Sequence, residues 1–238
     1  MVQPGSARDS QPPQLHLAPL DGSDALEERY RLLLSEDERQ RASRFYRAID
    51  RKHFVVARGT LRRLLAGRLK CDAGAIRFAY GEHGKPALAG DSSQLSFNVS
   101  HSHGWALYGI SDGAPIGVDI EKIRPGICET TIPEQFFSEQ ECATLRSLPL
   151  EVQAEAFFNC WTRKEAFVKA NGMGLSYDLG DFDVSLDPRD PAALLAIRGD
   201  PLEAARWTMH SFVPMAGFVA AVAVRDQREP IQIQTYAD

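Results

Sequence analysis

Helical and strand-like segments are segregated along this chain, and the segregation occurs twice. Apolar periodicity and capping signals predict helices over 23–34, 36–46 and 51–69. Strands are expected at 76–80, 96–100 and 105–111, with an earlier one at 15–18. The turn Asp112-Gly-Ala-Pro115 leads into a further strand, 116–122. From Ser138, a helix cap, the order starts again. Helices are expected over 139–147 and 151–170, then strands near 182–186, 193–198, 206–212 and 217–224. Helices before strands, twice over, predicts an α+β protein of two related halves that share a core. The halves are placed at 15–112 and 113–238, behind a loose tail of residues 1–14. There is no clear sequence repeat, only this repeated order.

Local signals support the boundaries. Ser35-Glu-Asp-Glu38 fits a capping box, and Asn171-Gly172 fits a helix stop. Gly81-Glu-His-Gly-Lys-Pro86 reads as a turn. The longest apolar run, Gly217–Val224, is far short of the roughly 20 residues of a spanning helix and reads as a buried strand. The polar, proline-bearing start of the chain predicts no secretory leader. Cys71, Cys128, Cys142 and Cys160 have no metal-ligand spacing, so reduced thiols in the cytoplasm are expected.

The net charge of −5 hides an asymmetry. Residues 29–70 carry 13 Lys and Arg against 4 Asp and Glu. Such a segment on an acidic protein suits either an anionic partner or a solvated helix face. Overall negative charge and the lack of a nucleic-acid motif argue against general nucleic-acid binding.

Ile116-Gly-Val-Asp-Ile-Glu-Lys122 carries the sharpest local signal. Side chains alternate along a strand, so Ile116, Val118 and Ile120 take a core face while Gly117, Asp119 and Glu121 take the other. Two carboxylates about 6.5 Å apart repel by roughly 2–3 kcal/mol at an effective dielectric near 20. In open water that repulsion is small, and a wet sheet face explains the pair equally well. A third acid lies on the helix through Trp161, where Phe157, Trp161, Lys164, Glu165 and Val168 fall on one side at 100° per residue. Lys169 follows Glu165 by one turn; a simple Glu165–Lys169 pair is the plain alternative. Three converging carboxylates would suit Mg²⁺, a hard ion that takes oxygen ligands and shares substrate phosphates. Lys85 and the run Asn98-Val-Ser-His-Ser102 offer groups for phosphate oxygens, though they serve equally well as turn caps.

Taken in order, Gly84-Lys-Pro86, Phe97-Asn-Val-Ser-His-Ser102, Ile116-Gly-Val-Asp-Ile-Glu121, Phe136-Phe-Ser-Glu-Gln-Glu141, Trp161-Thr-Arg-Lys-Glu-Ala166, Lys169 and Gly172-Met-Gly-Leu175 resemble the surfactin-type 4′-phosphopantetheinyl transferases. Each motif alone is unspecific; the ordered set across 84–175 is specific. The resemblance implies two pseudo-symmetric α+β halves with the active site in the cleft between them. It implies Mg²⁺-dependent transfer of 4′-phosphopantetheine from coenzyme A to a serine of an acyl or peptidyl carrier protein; two halves with an internal cleft need no partner chain to complete the site, so a monomer is expected. Carried over by residue, Asp119, Glu121 and Glu165 resemble the metal ligands, with Glu165 as the base. Lys164 and Lys169 resemble the pyrophosphate lysines, with Lys169 near the leaving group. Lys85, Ser100 and His101 resemble coenzyme A contacts, Arg51 and Arg58 groups near its 3′-phosphate, and Glu141 an acid on the preceding helix. Two other readings use the same residues: a Mg²⁺-dependent hydrolase of coenzyme A or a nucleotide pyrophosphate, and an inactive coenzyme A-binding module.

Overall fold

Alternation along the strands decides how the layers stack. In β5 (Trp105–Asp112), Ala106, Tyr108 and Ile110 join one apolar cluster and Leu107 joins another. In β6 (Ile116–Lys122), Ile116, Val118 and Ile120 join that second cluster, as the period of two requires. In β10 (Phe218–Arg225), Phe218, Ala220, Val222 and Val224 point into it, while Val219, Ala221 and Ala223 point away. The computed structural model describes residues 11–81, 84–90, 95–174, 177–200, 202–227 and 230–236.

Two principal sheets result. The first runs β11 (Gln232–Thr235), β1 (Gln14–Pro19), β5, β4 (Leu95–Ser102). The second runs β6, β10, β9 (Trp207–Phe212). They face each other through Leu15, Leu17, Leu107, Ile116, Val118, Ile120 and Val222. On the outer face of the first lies α3 (Ala48–Leu69), over Val55, Val56, Leu65, Phe97 and Tyr108. On the outer face of the second lies α6 (Leu150–Asn171), over Phe157, Phe167, Val219 and Ala221. Each half is thus a helix on a mainly antiparallel sheet, and the halves meet sheet to sheet.

The smaller elements complete each half. α1 (Asp24–Arg31) and α2 (Glu36–Ser43) pack on α3. Ser35 donates its main-chain N–H to Glu38 Oε2 at 2.9 Å, closing the expected capping box. The ribbon β2 (Phe78–Tyr80) and β3 (Pro86–Leu88) flanks β4. In the second half, α4 (Ile132–Phe136) and α5 (Glu139–Ser147) precede α6, and β7 (Phe182–Val184) pairs with β8 (Leu194–Ile197). Sequence reading missed β3, α4 and β11, each only three to five residues long and lacking a full period of apolar pattern. By chain order β11 falls in the second half, yet it pairs in parallel with β1, so the chain end returns to the first sheet. Gln11 and Gln14, expected in a loose tail, are tied down: Gln11 N–H reaches Asp112 Oδ2 at 3.0 Å and Gln14 opens β1. Residues 1–10 of that tail, Glu82 and His83 of the 81–86 turn, and Leu175 lie outside the described residues.

One contact sets the depth of the site. A Cβ at Gly117 would stand 2.0 Å from the main-chain oxygen of Ala166 and 2.3 Å from the nitrogen of Ala170. The α6 backbone therefore rests directly on β6, bringing Glu165 and Lys169 to the edge of the strand that carries Asp119. Among the described residues no helix is long and apolar enough to cross a membrane.

Candidate active site

Strands β4 and β6 lie side by side without a main-chain ladder between them. Side chains bridge the gap instead. Asn98, Ser100 and Ser102 share one face of β4 because they are two residues apart. Asn98 Oδ1 accepts the Val118 N–H at 2.9 Å. Ser100 Oγ donates to Asp119 Oδ1 at 2.7 Å, and Ser102 Oγ donates to Glu121 Oε2 at 2.9 Å. This polar ladder joins the two halves at the seam and aims both acids of β6.

Asp119 is 3% exposed. Its Oδ1 also accepts from Lys169 Nζ at 2.5 Å, while its Oδ2 is buried with no hydrogen-bond partner. Lys169 stands 3.8 Å from Glu165 Oε2, one helical turn back. Burial raises the pKa of Glu165, Lys169 opposes the rise, and Asp119 and Glu121 add to it. Burial and then Asp119 raise that of Glu121, against Ser102, Arg124 and Lys169. Each glutamate feels Asp119, so the three carboxylates share one electrostatic site. The expected meeting of all three at one point needs correction: among the described residues no His, Cys, Asp or Glu set is gathered closely enough to hold a metal ion. Lys169 is the cation between Asp119 and Glu165, and like charges do not close up further without a stronger one. The donor set is all oxygen, and the orphaned Asp119 Oδ2 is a buried acceptor with no hydrogen-bond partner; both fit a hard cation.

A cleft opens on either side of this seam. One part, about 630 Å³, is lined by Arg41, His53, Arg58, His101, Ser102 and His103. The other, about 750 Å³, is lined by Lys85, Phe136, Trp161, Glu165, Lys169 and Tyr177. Gly84 and Pro86 border both.

Comparison with known proteins decides what such a cleft belongs to. Residues 115–223 match the model of the 4′-phosphopantetheinyl transferase superfamily, and residues 25–109 match that of a 4′-phosphopantetheinyl transferase N-terminal region. The chain is 38% identical over 216 residues to the 4′-phosphopantetheinyl transferase HetI of Nostoc sp., covering 89% of this chain and 87% of the relative. The chain belongs to the 4′-phosphopantetheinyl transferase family. The transferase is also 35% identical over 159 residues to Sfp of Bacillus subtilis, covering 67% of this chain and 69% of that one. With the human L-aminoadipate-semialdehyde dehydrogenase-phosphopantetheinyl transferase it shares 34% identity over 167 residues, 65% of this chain and 53% of the relative.

The structure sorts the expected site residues of the transferase. Asp119, Glu121, Glu165, Lys169 and Ser100 come together at the seam. His101 is exposed on β4 and lines the first part of the cleft. Arg58 borders the same space, over the ring of Phe78 and 3.5 Å from Glu38. Arg51 does not reach it: its side chain pairs with Glu27 at 3.5 Å in a separate groove between α1, α2 and α3. Lys164 is also elsewhere. It is fully buried, 2.8 Å from Glu141 Oε2, donating to the main-chain oxygens of Leu179 and Phe182 at 2.7 and 2.6 Å. Adjacent helix residues point 100° apart, so Lys164 enters the core of the second half while Glu165 faces the cleft. Glu141 has a structural partner set as well: it accepts from Val184 N–H and Ser138 N–H. Lys85 lines the cleft, but its ammonium is turned to the end of α6, where it donates to the main-chain oxygen of Lys169.

Sequence reasoning missed His103 as a site residue, and placed Ser102 only in a run facing phosphate oxygens, not as the partner of Glu121. The alternation from Ser100 carried the signal for Ser102, since the same face holds both. His103 had no such signal, because its place depends on a turn.

Proposed function

We propose that the transferase moves the 4′-phosphopantetheine group from coenzyme A to a serine hydroxyl of an apo acyl or peptidyl carrier protein. The observation that carries this reading is the convergence of Asp119, Glu121, Glu165 and Lys169 beside a two-part cleft. The first part, with Arg58 and His101, suits the anionic nucleotide end of coenzyme A. The second, with Trp161 and Phe136, suits the less polar pantetheine arm and the approaching carrier.

Asp119, Glu121 and Glu165 would hold Mg²⁺, which supplies charge neutralisation for the pyrophosphate when bound. Glu165 takes the serine proton; its raised pKa brings it closer to the working range of a general base. The serine oxygen bonds to the phosphorus that carries pantetheine, and the bond from that phosphorus to the nucleotide phosphate breaks. Lys169 faces the charge that develops on the departing adenosine 3′,5′-bisphosphate. Ser100 and Ser102 hold the two β6 acids in register throughout. Both parts of the cleft come from one chain, which supports action as a monomer, and free cysteines with no membrane-crossing helix among the described residues support a cytoplasmic setting.

The test is incubation with coenzyme A, Mg²⁺ and a panel of apo-carriers, read by mass spectrometry. A carrier that gains one phosphopantetheine group is the expected product. Free phosphopantetheine with unmodified carriers would instead make the protein a hydrolase, and tight coenzyme A binding without turnover would make it a binding module. Asp119→Ala and Glu165→Ala should each abolish transfer and keep the fold; full activity in either removes the site assignment.

A further inference from the structure

The β4–β5 hairpin turns through His103 and Gly104, with φ of 45° and 79°. Two successive positive φ values mark the tight hairpin turn that glycine and asparagine favour; positive φ is uncommon outside glycine, and histidine is one of the residues that tolerate it. The turn is held by the Leu20 N–H on the Gly104 oxygen at 2.7 Å. It folds the His103 ring back on its own strand, so that Nδ1 lies 3.0 Å from Ser102 Oγ. The ring also meets Phe218 edge to face, with centroids 6.4 Å apart, at the end of the strand paired with β6.

A proton count settles the direction of this contact. Ser102 has one hydroxyl proton. It is donated to the Glu121 carboxylate at 2.9 Å, which as an anion only accepts. The Ser102 oxygen must therefore accept from His103, whose Nδ1 carries the hydrogen. The chain runs His103 Nδ1–H to Ser102 Oγ–H to Glu121. We propose that His103 is a positioning residue for Glu121, acting through Ser102. This rests on the reading of Glu121 as a site carboxylate. The imidazole commits the serine lone pair, the serine then has one orientation, and Glu121 is held at the seam. A partner that orients an acid in this way typically changes metal affinity or activity tenfold or more when removed.

Turn chemistry makes the idea testable without losing the fold. Glycine is the residue such a turn prefers, so His103→Gly should melt within a few degrees of wild type. Its Mg²⁺ requirement for carrier loading should rise roughly tenfold, with a smaller effect on the rate at saturating Mg²⁺. Asparagine tolerates the same backbone and has an amide donor, so His103→Asn should recover most of the loss. Ser102→Ala should lose at least as much as His103→Gly, and the double variant should be no worse than Ser102→Ala. In ¹⁵N-histidine-labelled protein without metal, the His103 ring should show the Nδ1–H tautomer, changing to Nε2–H in Ser102→Ala. A wild-type Nε2–H tautomer, or His103→Gly with an unchanged Mg²⁺ requirement while Glu121→Ala is inactive, overturns the role of His103 alone. Full activity of Glu121→Ala overturns the site reading and the role of His103 with it.

Discussion

The Lys85 ammonium lies 2.5 Å from the main-chain oxygen of Lys169 and 3.2 Å from that of Ala170. A lysine from the first half thus closes the last turn of α6 in the second, where carbonyls lack helical partners and the helix dipole is negative. Lys169 is on the same turn, so this contact also steadies the residue that faces Asp119.

Burial brings the pKa of Lys85 down to about 8, below the ordinary 10.5. Above pH 8 the folded protein releases a proton that the unfolded chain still binds, so stability rises with pH there. Above pH 9 the buried thiols of Cys142 and Cys160, whose pKa values are raised, act in the opposite sense. Between pH 8 and 9, wild type should therefore gain stability relative to Lys85→Met in urea unfolding. Parallel curves for the two proteins would refute the assignment.

Lys164→Met leaves the buried Glu141 carboxyl without its cation, held only by the Ser138 and Val184 N–H groups. The expected loss is about 3–5 kcal/mol in chemical denaturation. Replacing both partners, Glu141→Gln with Lys164→Met, should cost clearly less. If Lys164→Met keeps wild-type stability but loses affinity for coenzyme A, the lysine belongs to the substrate after all.

Gly117→Ala places a methyl group inside the backbone of α6. Helix and strand must separate, at a cost of about 3 kcal/mol or more. For a chain of this size the melting temperature should fall by ~10 °C, with loss of carrier loading. An unchanged melting temperature would mean that α6 does not lie so close to β6.

Millimolar Mg²⁺ with coenzyme A should raise the melting temperature, and EDTA should reverse the shift. A ligand at a hundred times its Kd stabilises by about 2.7 kcal/mol. Glu121→Gln and Glu165→Gln should each lose most of the Mg²⁺-dependent part. A wild-type protein whose melting is indifferent to Mg²⁺ would count against these carboxylates as its ligands.

Much of this site is local and so legible from order alone. The alternation of residues 116–122 sorts the isoleucines and valine from the acids before any partner is known, because a strand has only two faces. Ser35 with Glu38 and Ser138 with Glu141 mark helix starts for the same reason: the bonds they make span three residues. Motif order across 84–175 pointed to the family. Lys164 and Glu165 show where such reading ends. They stand together in one motif, and one turns into the core while the other turns to the cleft. Arg51 and Arg58 lie two turns apart on one helix, and only the positions of Glu27 and Glu38 on other helices decide which of them borders the cleft.

By itself the sequence determined the longer helices and strands of both halves, the face each β6 residue takes, and the family. Tertiary structure alone decided that Asn98, Ser100 and Ser102 meet β6, that Lys85 closes α6, and that His103 reaches Ser102. Those contacts join residues far apart in the chain, or depend on a turn whose backbone sends a side chain back on its own strand. Distances of that kind follow from how two sheets pack, and no periodicity within either strand encodes them.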